Sequence, residues 1–341
     1  MTSTAAIPLA DPALADRLTS RLALVEEALR DAVAHADALA HDASRHLVDA
    51  GGKRLRPLLT LLVSELGDGA RREVIDAAVV VELTHLATLY HDDVMDEAVV
   101  RRTVDSVNAR WGNLKAILAG DFLLARASEL AAGLGVEVAG LLAATIGRLC
   151  EGQVLELRHA YDLDRSEESY LRAIEGKTAS LLASSCRIGG IVADLPREHT
   201  DALTEFGRSY GMAFQLVDDV LDLVAPEAVL GKPAGHDLEE GVYTLPVILT
   251  LSSDRGPELA ELLRRDRLAD GTDVPALDTA ARDRAIEIVR DGSGIDATIA
   301  RAREFADQGR AALDRLPASP GVTGLSAAAD YLLDNVEAAA A

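Results

Sequence analysis

Val79-Val80-Val81-Glu82-Leu83-Thr84-His85-Leu86-Ala87-Thr88-Leu89-Tyr90-His91-Asp92-Asp93-Val94-Met95-Asp96 is an apolar run that ends in three carboxylates. Val79, Leu83, Leu86, Tyr90 and Val94 recur at intervals of three and four, the period of one helix face, and the spacing predicts a long helix over 72–97. His85, Thr88, Asp92 and Asp96 fall on the opposite stripe. Like charges four apart cost an isolated helix roughly 0.2–0.5 kcal/mol per pair, so the cluster calls for a positive partner. The pattern returns as Asp218-Asp219-Val220-Leu221-Asp222, again behind an apolar run, in a helix expected over 198–225 that carries Gln215 on the acidic face. Two such clusters aimed at each other would hold a hard divalent cation and the phosphates that travel with it.

Working outward, the remainder also reads as helix. Ala and Leu dominate, no period-2 pattern of any length occurs, and aromatic residues make up 3% of 341 residues, so the expected fold class is all-α. A loose tail is expected over 1–12 and a single helical domain over 13–341, without an internal repeat. The N-terminus lacks a basic segment followed by an apolar one, and the most apolar long stretch, Ala131 to Gly147, is interrupted by Glu137. Cys150 and Cys186 have no metal-ligand spacing and read as small buried hydrophobes of a reducing compartment. A cytoplasmic protein with at most peripheral membrane contact is expected.

The formal net charge of −22 argues against a general nucleic-acid or anionic-membrane surface, which makes clustered cations informative. Gly51-Gly52 breaks a helix, and Lys53-Arg54-Leu55-Arg56-Pro57 opens the next with Pro in its first turn. Cations at a helix N-terminus oppose the macrodipole unless an anion sits between them and the unbonded N–H groups. Arg101-Arg102 follows the first acidic cluster and offers forked donors for phosphate oxygens. Gly176-Lys177-Thr178 sits where a helix resumes; it is not a P-loop, because the earlier glycine is replaced by Leu171. Acid clusters for metal and basic clusters for bare phosphate imply two phosphorylated substrates. No activated Ser, Cys or His pairing stands out, so metal-assisted departure of a leaving group is the expected chemistry.

Gly51-Gly52-Lys53-Arg54-Leu55-Arg56-Pro57, His85, Asp92-Asp93-Val94-Met95-Asp96, Arg101-Arg102, Lys177-Thr178, Phe214-Gln215-Leu216-Val217-Asp218-Asp219-Val220-Leu221-Asp222 and Thr244-Leu245-Pro246 together resemble the trans-polyprenyl diphosphate synthases. The resemblance implies about a dozen helices around a deep apolar cavity, usually in a homodimer. It implies that Asp92, Asp93, Asp96, Asp218 and Asp222 hold three Mg²⁺, with Asp219 and Lys177 in the catalytic set. It further implies that Lys53, Arg56, His85 and Arg102 bind isopentenyl diphosphate, and that Arg101, Lys177, Thr178, Gln215 and Lys232 bind the allylic diphosphate. The reaction implied is a head-to-tail condensation through an allylic cation.

Two positions depart from the pattern. Val242 stands where many members carry Lys, and Thr103 replaces a common Gly after the arginine pair. In the family, bulk four and five residues before the first motif caps product length; here those residues are Thr88 and Ala87, both small, which implies an all-trans product of C30 or more. A short-chain (C10–C20) synthase and a non-catalytic partner subunit are the alternatives. A class I terpene cyclase is disfavoured by the second acidic motif and the Gly-Gly-Lys-Arg segment, and a structural Ca²⁺-binding helical protein would leave the cationic clusters unexplained.

Overall fold

A computed structural model describes residues 7–34, 37–225, 234–265 and 277–340. The helices run α1 (Pro12–Ala32), α2 (Ala38–Asp49), α3 (Leu55–Ser64), α4 (Glu73–Met95), α5 (Val107–Trp111), α6 (Asn113–Gly133), α7 (Val136–Arg158) and α8 (Glu167–Ile174). After a π-helical turn (Glu175–Ala179) come α9 (Ser180–Val192), α10 (Arg197–Val224), α11 (His236–Glu240), α12 (Leu245–Leu251) and α13 (Gly256–Leu263). Then follow α14 (Thr279–Arg290), α15 (Gly294–Leu313) and α16 (Pro320–Ala340). Among the described residues the only strands are β1 (Val100–Arg101) and β2 (Val104–Asp105), a two-stranded antiparallel hairpin. The chain is all-α, as its composition predicts, with more and shorter helices than a dozen.

Two compact units form. The first takes residues 1–147, 180–208 and 309–329, and the second 148–179, 209–308 and 330–341. At the centre of the first lies α4, whose Val74, Ala77, Ala78, Val79, Val80, Val81, Leu83, Leu86, Ala87 and Tyr90 are all buried. A helix apolar on nearly every side must be surrounded, and α4 packs against α1, α3, α6 and α9. Leu89 and Val94 stay partly exposed. In the second unit, α8 and α12 pack together, and Tyr170 and Tyr243 are among the largest fully enclosed side chains.

Three sequence expectations change. Ile7 is buried and Asp11 caps α1 by accepting from Ala13 N, so residues 7–12 are packed rather than loose; residues 1–6 lie outside the described residues. Cys186 is buried, and burial pushes its thiol up to about 12, but Cys150 is exposed on α7. Both α4 and α7 are long and apolar enough to cross a membrane by length and composition, whereas the apolar stretch of 131–147 reads in the sequence as too interrupted to span one. Helix α4 is largely buried within its own unit, whereas most of the apolar part of α7 is exposed.

The β1–β2 turn explains the Thr103 departure. Arg102 and Thr103 have φ of +53° and +66°, the signature of a tight hairpin turn in which both central residues are left-handed. Glycine adopts that conformation without strain, while a β-branched residue does not. Thr103→Gly is expected to stabilise the protein by about 1 kcal/mol, read as a shift in the urea midpoint; an unchanged or lower midpoint would show that the turn is not strained.

Candidate functional site

In the first unit a cationic pocket is built around Glu82, which sits three residues before His85 on α4 and is 1% exposed. Its Oε1 accepts from Arg54 Nη1 at 2.8 Å and lies 3.8 Å from Arg102 Nη2. Arg54, also buried, caps α3 from a left-handed conformation (φ +49°) and binds Glu26 through Nε at 2.5 Å and the Val48 carbonyl at 2.9 Å. Arg102 donates to the Leu47 carbonyl at 3.1 Å and to the Gly51 carbonyl. Gly52 makes this possible: at φ +140°, a Cβ there would lie 2.8 Å from the centre of the Arg102 guanidinium.

Arg56 is half-buried, and its Nε is shut away from solvent with no hydrogen-bond partner among the described residues. Burial pushes its guanidinium down to about 10, with Glu82 opposing and Arg102 adding. His85 is held well below the ordinary histidine range by burial and then by Arg56, Arg102, Arg54 and Arg101, so it is neutral at physiological pH and carries one N–H donor. Lys53 is exposed at the mouth of this segment. The first turn of α3 has no side-chain cap, which leaves its N–H groups for an anion, as the cation pattern implies. Lys53, Arg56, His85 and Arg102 thus converge on one unit, with Arg54 and Glu82 as the supports that sequence reasoning missed. A lone Glu inside Val79-Val80-Val81-Glu82-Leu83 was the available signal.

The first acidic cluster ends α4, with Asp96 as the C-cap. Asp92 is half-buried and Asp96 exposed, whereas Asp93 is 0% exposed. Consecutive helical residues point 100° apart, so Asp92 and Asp96 share a face and Asp93 turns away from it. Asp93 Oδ1 accepts from Arg101 Nε at 2.6 Å, and its backbone carbonyl accepts from Asn108 Nδ2 at 2.9 Å. Asp93 and Arg101 therefore fasten the hairpin to α4. Asp93, expected as a supporting metal ligand, is thus buried against Arg101 with its Oδ2 left without a hydrogen-bond partner among the described residues, and Arg101, expected to contact diphosphate, spends its Nε on Asp93.

In the second unit the same division appears. Asp218 is exposed, Asp222 is 6% exposed, and Asp219 is 3% exposed. Asp219 accepts from Tyr170 Oη and, at 2.9 Å, from Gln215 Nε2; Gln215 Oε1 accepts from Thr178 Oγ1 at 2.7 Å. Gln215 and Thr178, expected to bind diphosphate, use these atoms to brace Asp219. Lys177, on the π turn, donates to Glu156. Gly152 on α7 and Gly176 on the turn let the two backbones touch: a Cβ on Gly152 would lie 2.4 Å from Lys177 N. A single wide turn of this kind re-aims a side chain, here Lys177. Tyr170 and Glu156 carried no signal in the sequence. Lys232 lies outside the described residues.

Burial raises the Asp219 carboxyl to about 7; the Tyr170 and Gln215 hydrogen bonds pull it down, and Asp218 and Glu156 push it further up. A carboxyl raised in the folded state stabilises fully below its unfolded value near pH 4, and that contribution is lost as pH rises through about 7. Chelator-treated protein should therefore lose stability across that window in urea titrations at successive pH values. Asp219→Asn should flatten the slope; an equally steep variant would assign it to other groups.

The chain is similar to known proteins over nearly its whole length. The polyprenyl synthetase family model matches residues 37–277. The chain is 40% identical to the nonaprenyl diphosphate synthase of Mycobacterium tuberculosis over 97% of each chain. It is 38% identical to heptaprenyl diphosphate synthase component 2 of Geobacillus stearothermophilus, over 88% of this chain and 91% of that one. Its fold superposes with a TM-score of 0.83 and 40% identity on a geranylgeranyl pyrophosphate synthase of Corynebacterium glutamicum complexed with calcium and isoprenyl diphosphate, covering 97% and 99% of the two chains. With this breadth of match added to the acid and cation clusters described above, the chain belongs to the polyprenyl synthetase family.

Proposed function

We propose that the protein is a prenyltransferase that condenses isopentenyl diphosphate with an allylic diphosphate, and that its product is a long all-trans polyprenyl diphosphate. The observation that carries the reaction class is the Arg56–Arg102–His85 pocket, a cationic site in a chain of net charge −22, with an unspent buried N–H on Arg56. Such a pocket is costly to assemble unless an anion completes it. Isopentenyl diphosphate, held there without metal, supplies the nucleophilic double bond. The C–O bond of the allylic diphosphate breaks, a C–C bond forms to the isopentenyl carbon, and a proton leaves to the released pyrophosphate.

The donor set of the acidic clusters fits Mg²⁺: the outer groups are all carboxylate oxygens, with no thiol or imidazole among them. Among the described residues no three acidic, His or Cys side chains form a ready-made metal cage, so such an ion takes much of its shell from water and phosphate, as Mg²⁺ prefers. We assign Asp92, Asp96, Asp218 and Asp222 as ligands, with three ions as the expected number. When bound, Mg²⁺ neutralises the diphosphate and makes it a better leaving group. We assign to Lys177, held by Glu156, a further positive charge on that diphosphate. A calcium and isoprenyl diphosphate complex of a structural relative supports divalent-metal dependence.

Relatives of similar identity are named for nonaprenyl and geranylgeranyl products, so the lining of α4 has to support the long-chain reading. Ala87 is fully buried, and the Thr88 hydroxyl is turned back to the His85 carbonyl at 2.8 Å, so neither presents bulk or an unbonded polar group. A homodimer is supported by apolar side chains left exposed on α6 (Leu114, Ile117, Leu118) and α7 (Val136, Val154, Leu157). A second reading, a partner subunit of a heteromeric synthase, is favoured by Val242 and by the relative named as a component.

The chain alone, given farnesyl diphosphate, excess isopentenyl diphosphate and Mg²⁺, should release pyrophosphate and extend past geranylgeranyl diphosphate. Silence with several primers would favour the subunit reading, and a product stopping at C20 or shorter would sink the long-chain one. Ala87→Phe and Thr88→Phe should each shorten the product.

A further inference from the structure

Arg165 lies in the second unit and is 4% exposed. Its Nη1 donates to the Tyr243 carbonyl at 3.3 Å, and its Nε and Nη2 are buried with no hydrogen-bond partner among the described residues. The guanidinium lies 5.3 Å from the centre of the Tyr170 ring, and Tyr170 Oη donates to Asp219. The charged groups around it are Glu156, Asp219 and Asp162. Each of these is bonded elsewhere: Glu156 to Lys177, Asp219 to Tyr170 and Gln215, and Asp162 to His159 Nδ1 at 2.6 Å.

A side chain kept at this position for packing alone would be cheaper as Met or Leu, because two unmade donors on a buried cation are a standing cost. What Met and Leu cannot supply is the charge and the flat cationic face on Tyr170. We propose that Arg165 is a positioning residue for the second acidic motif: it fixes the Tyr170 ring that holds Asp219, and its field offsets the carboxylates that gather a metal-bound diphosphate. This rests on the reading of Asp218 and Asp222 as the ligand side of that motif. Val242 fits the same account. It precedes Tyr243, whose carbonyl Arg165 bonds, and its N–H donates to the Asp237 carbonyl at 2.8 Å. A chain without a cation at 242 carries its compensating charge at 165, below the surface.

The test is calorimetric binding of inorganic pyrophosphate to the full chain in the presence of Mg²⁺. Arg165→Gln is expected to weaken binding about tenfold, and Val242→Lys added to it to recover most of that loss. Arg165→Lys, and Val242→Lys alone, should each stay within about threefold of wild type. Tyr170→Phe keeps the ring under the guanidinium, removes the O–H, and should weaken binding about fivefold, which gives a second reading if Arg165→Gln does not fold. Unchanged binding in Arg165→Gln or in Tyr170→Phe, a double variant no better than Arg165→Gln, or a wild type that does not bind Mg²⁺–pyrophosphate overturns the proposal. Binding requires no turnover, so a chain that binds as expected yet condenses no prenyl diphosphate would sink the proposed function alone. A chain that condenses them while Arg165→Gln binds unchanged would sink only the role of Arg165.

Discussion

A strongly acidic chain can bind a naked diphosphate only if it first stabilises cations against each other, and the buried carboxylate of Glu82 makes that possible. Three arginines and a histidine crowd the start of α3, the middle of α4 and the hairpin turn, and without a counter-charge they would repel. Glu82 bonds Arg54 and stands near Arg102; Glu26 takes the rest of Arg54. Arg54 is thereby neutralised and becomes part of the scaffold, which is why it can tolerate a left-handed backbone at the cap of α3. The positive charge left over belongs to Arg56 and Arg102, while His85 is driven to its neutral form. The pocket is then attractive to an anion, while its scaffold of Arg54, Glu26 and Glu82 is charge-balanced without one.

The two acidic motifs obey one rule. In each, the second aspartate is the most buried of the three and is bonded inward: Asp93 to Arg101, Asp219 to Tyr170 and Gln215. The flanking aspartates keep the face that the inward one gives up. The repulsion expected among three adjacent carboxylates is reduced by geometry, because one of them is removed from the face and paired or protonated. The inward aspartate also ties its helix to a second element, the hairpin in one unit and α8 with the π turn in the other. A short acidic repeat thus sets two flanking aspartates around a structural pin.

The sequence made the helices legible, since apolar period and the absence of alternation leave little else for so Ala- and Leu-rich a chain. It also made legible the charged clusters, because cations are scarce enough for grouping to stand out. What it hid was direction. Asp92 and Asp93 look equivalent in a motif, and only the 100° step between them, joined to the presence of Arg101 eight residues on, separates ligand from pin. Gln215 and Thr178 look like polar lining until their amide and hydroxyl are seen bonded to one another. Arg165 and Tyr170 lie in a stretch with no pattern, and nothing in one dimension links them to Asp219, 49 residues beyond Tyr170. Thr103 is the opposite case: its departure was visible, and the positive φ gives it a physical meaning.

These constraints meet on α4. Along one helix stand Glu82, which balances the cationic pocket; His85, which offers a neutral donor to it; Ala87, which is buried; Thr88, which is bonded back to the His85 carbonyl; and Asp92, Asp93 and Asp96. A helix rises 1.5 Å per residue, so about 21 Å of rigid rod separates Glu82 from Asp96. Packed on α1, α3, α6 and α9, the rod cannot shift one function without the others. Changes at Glu82 or Asp93 cannot be contained locally, since each is bonded to a second element whose position depends on it. The placement of charge is therefore the property of this helix least open to variation.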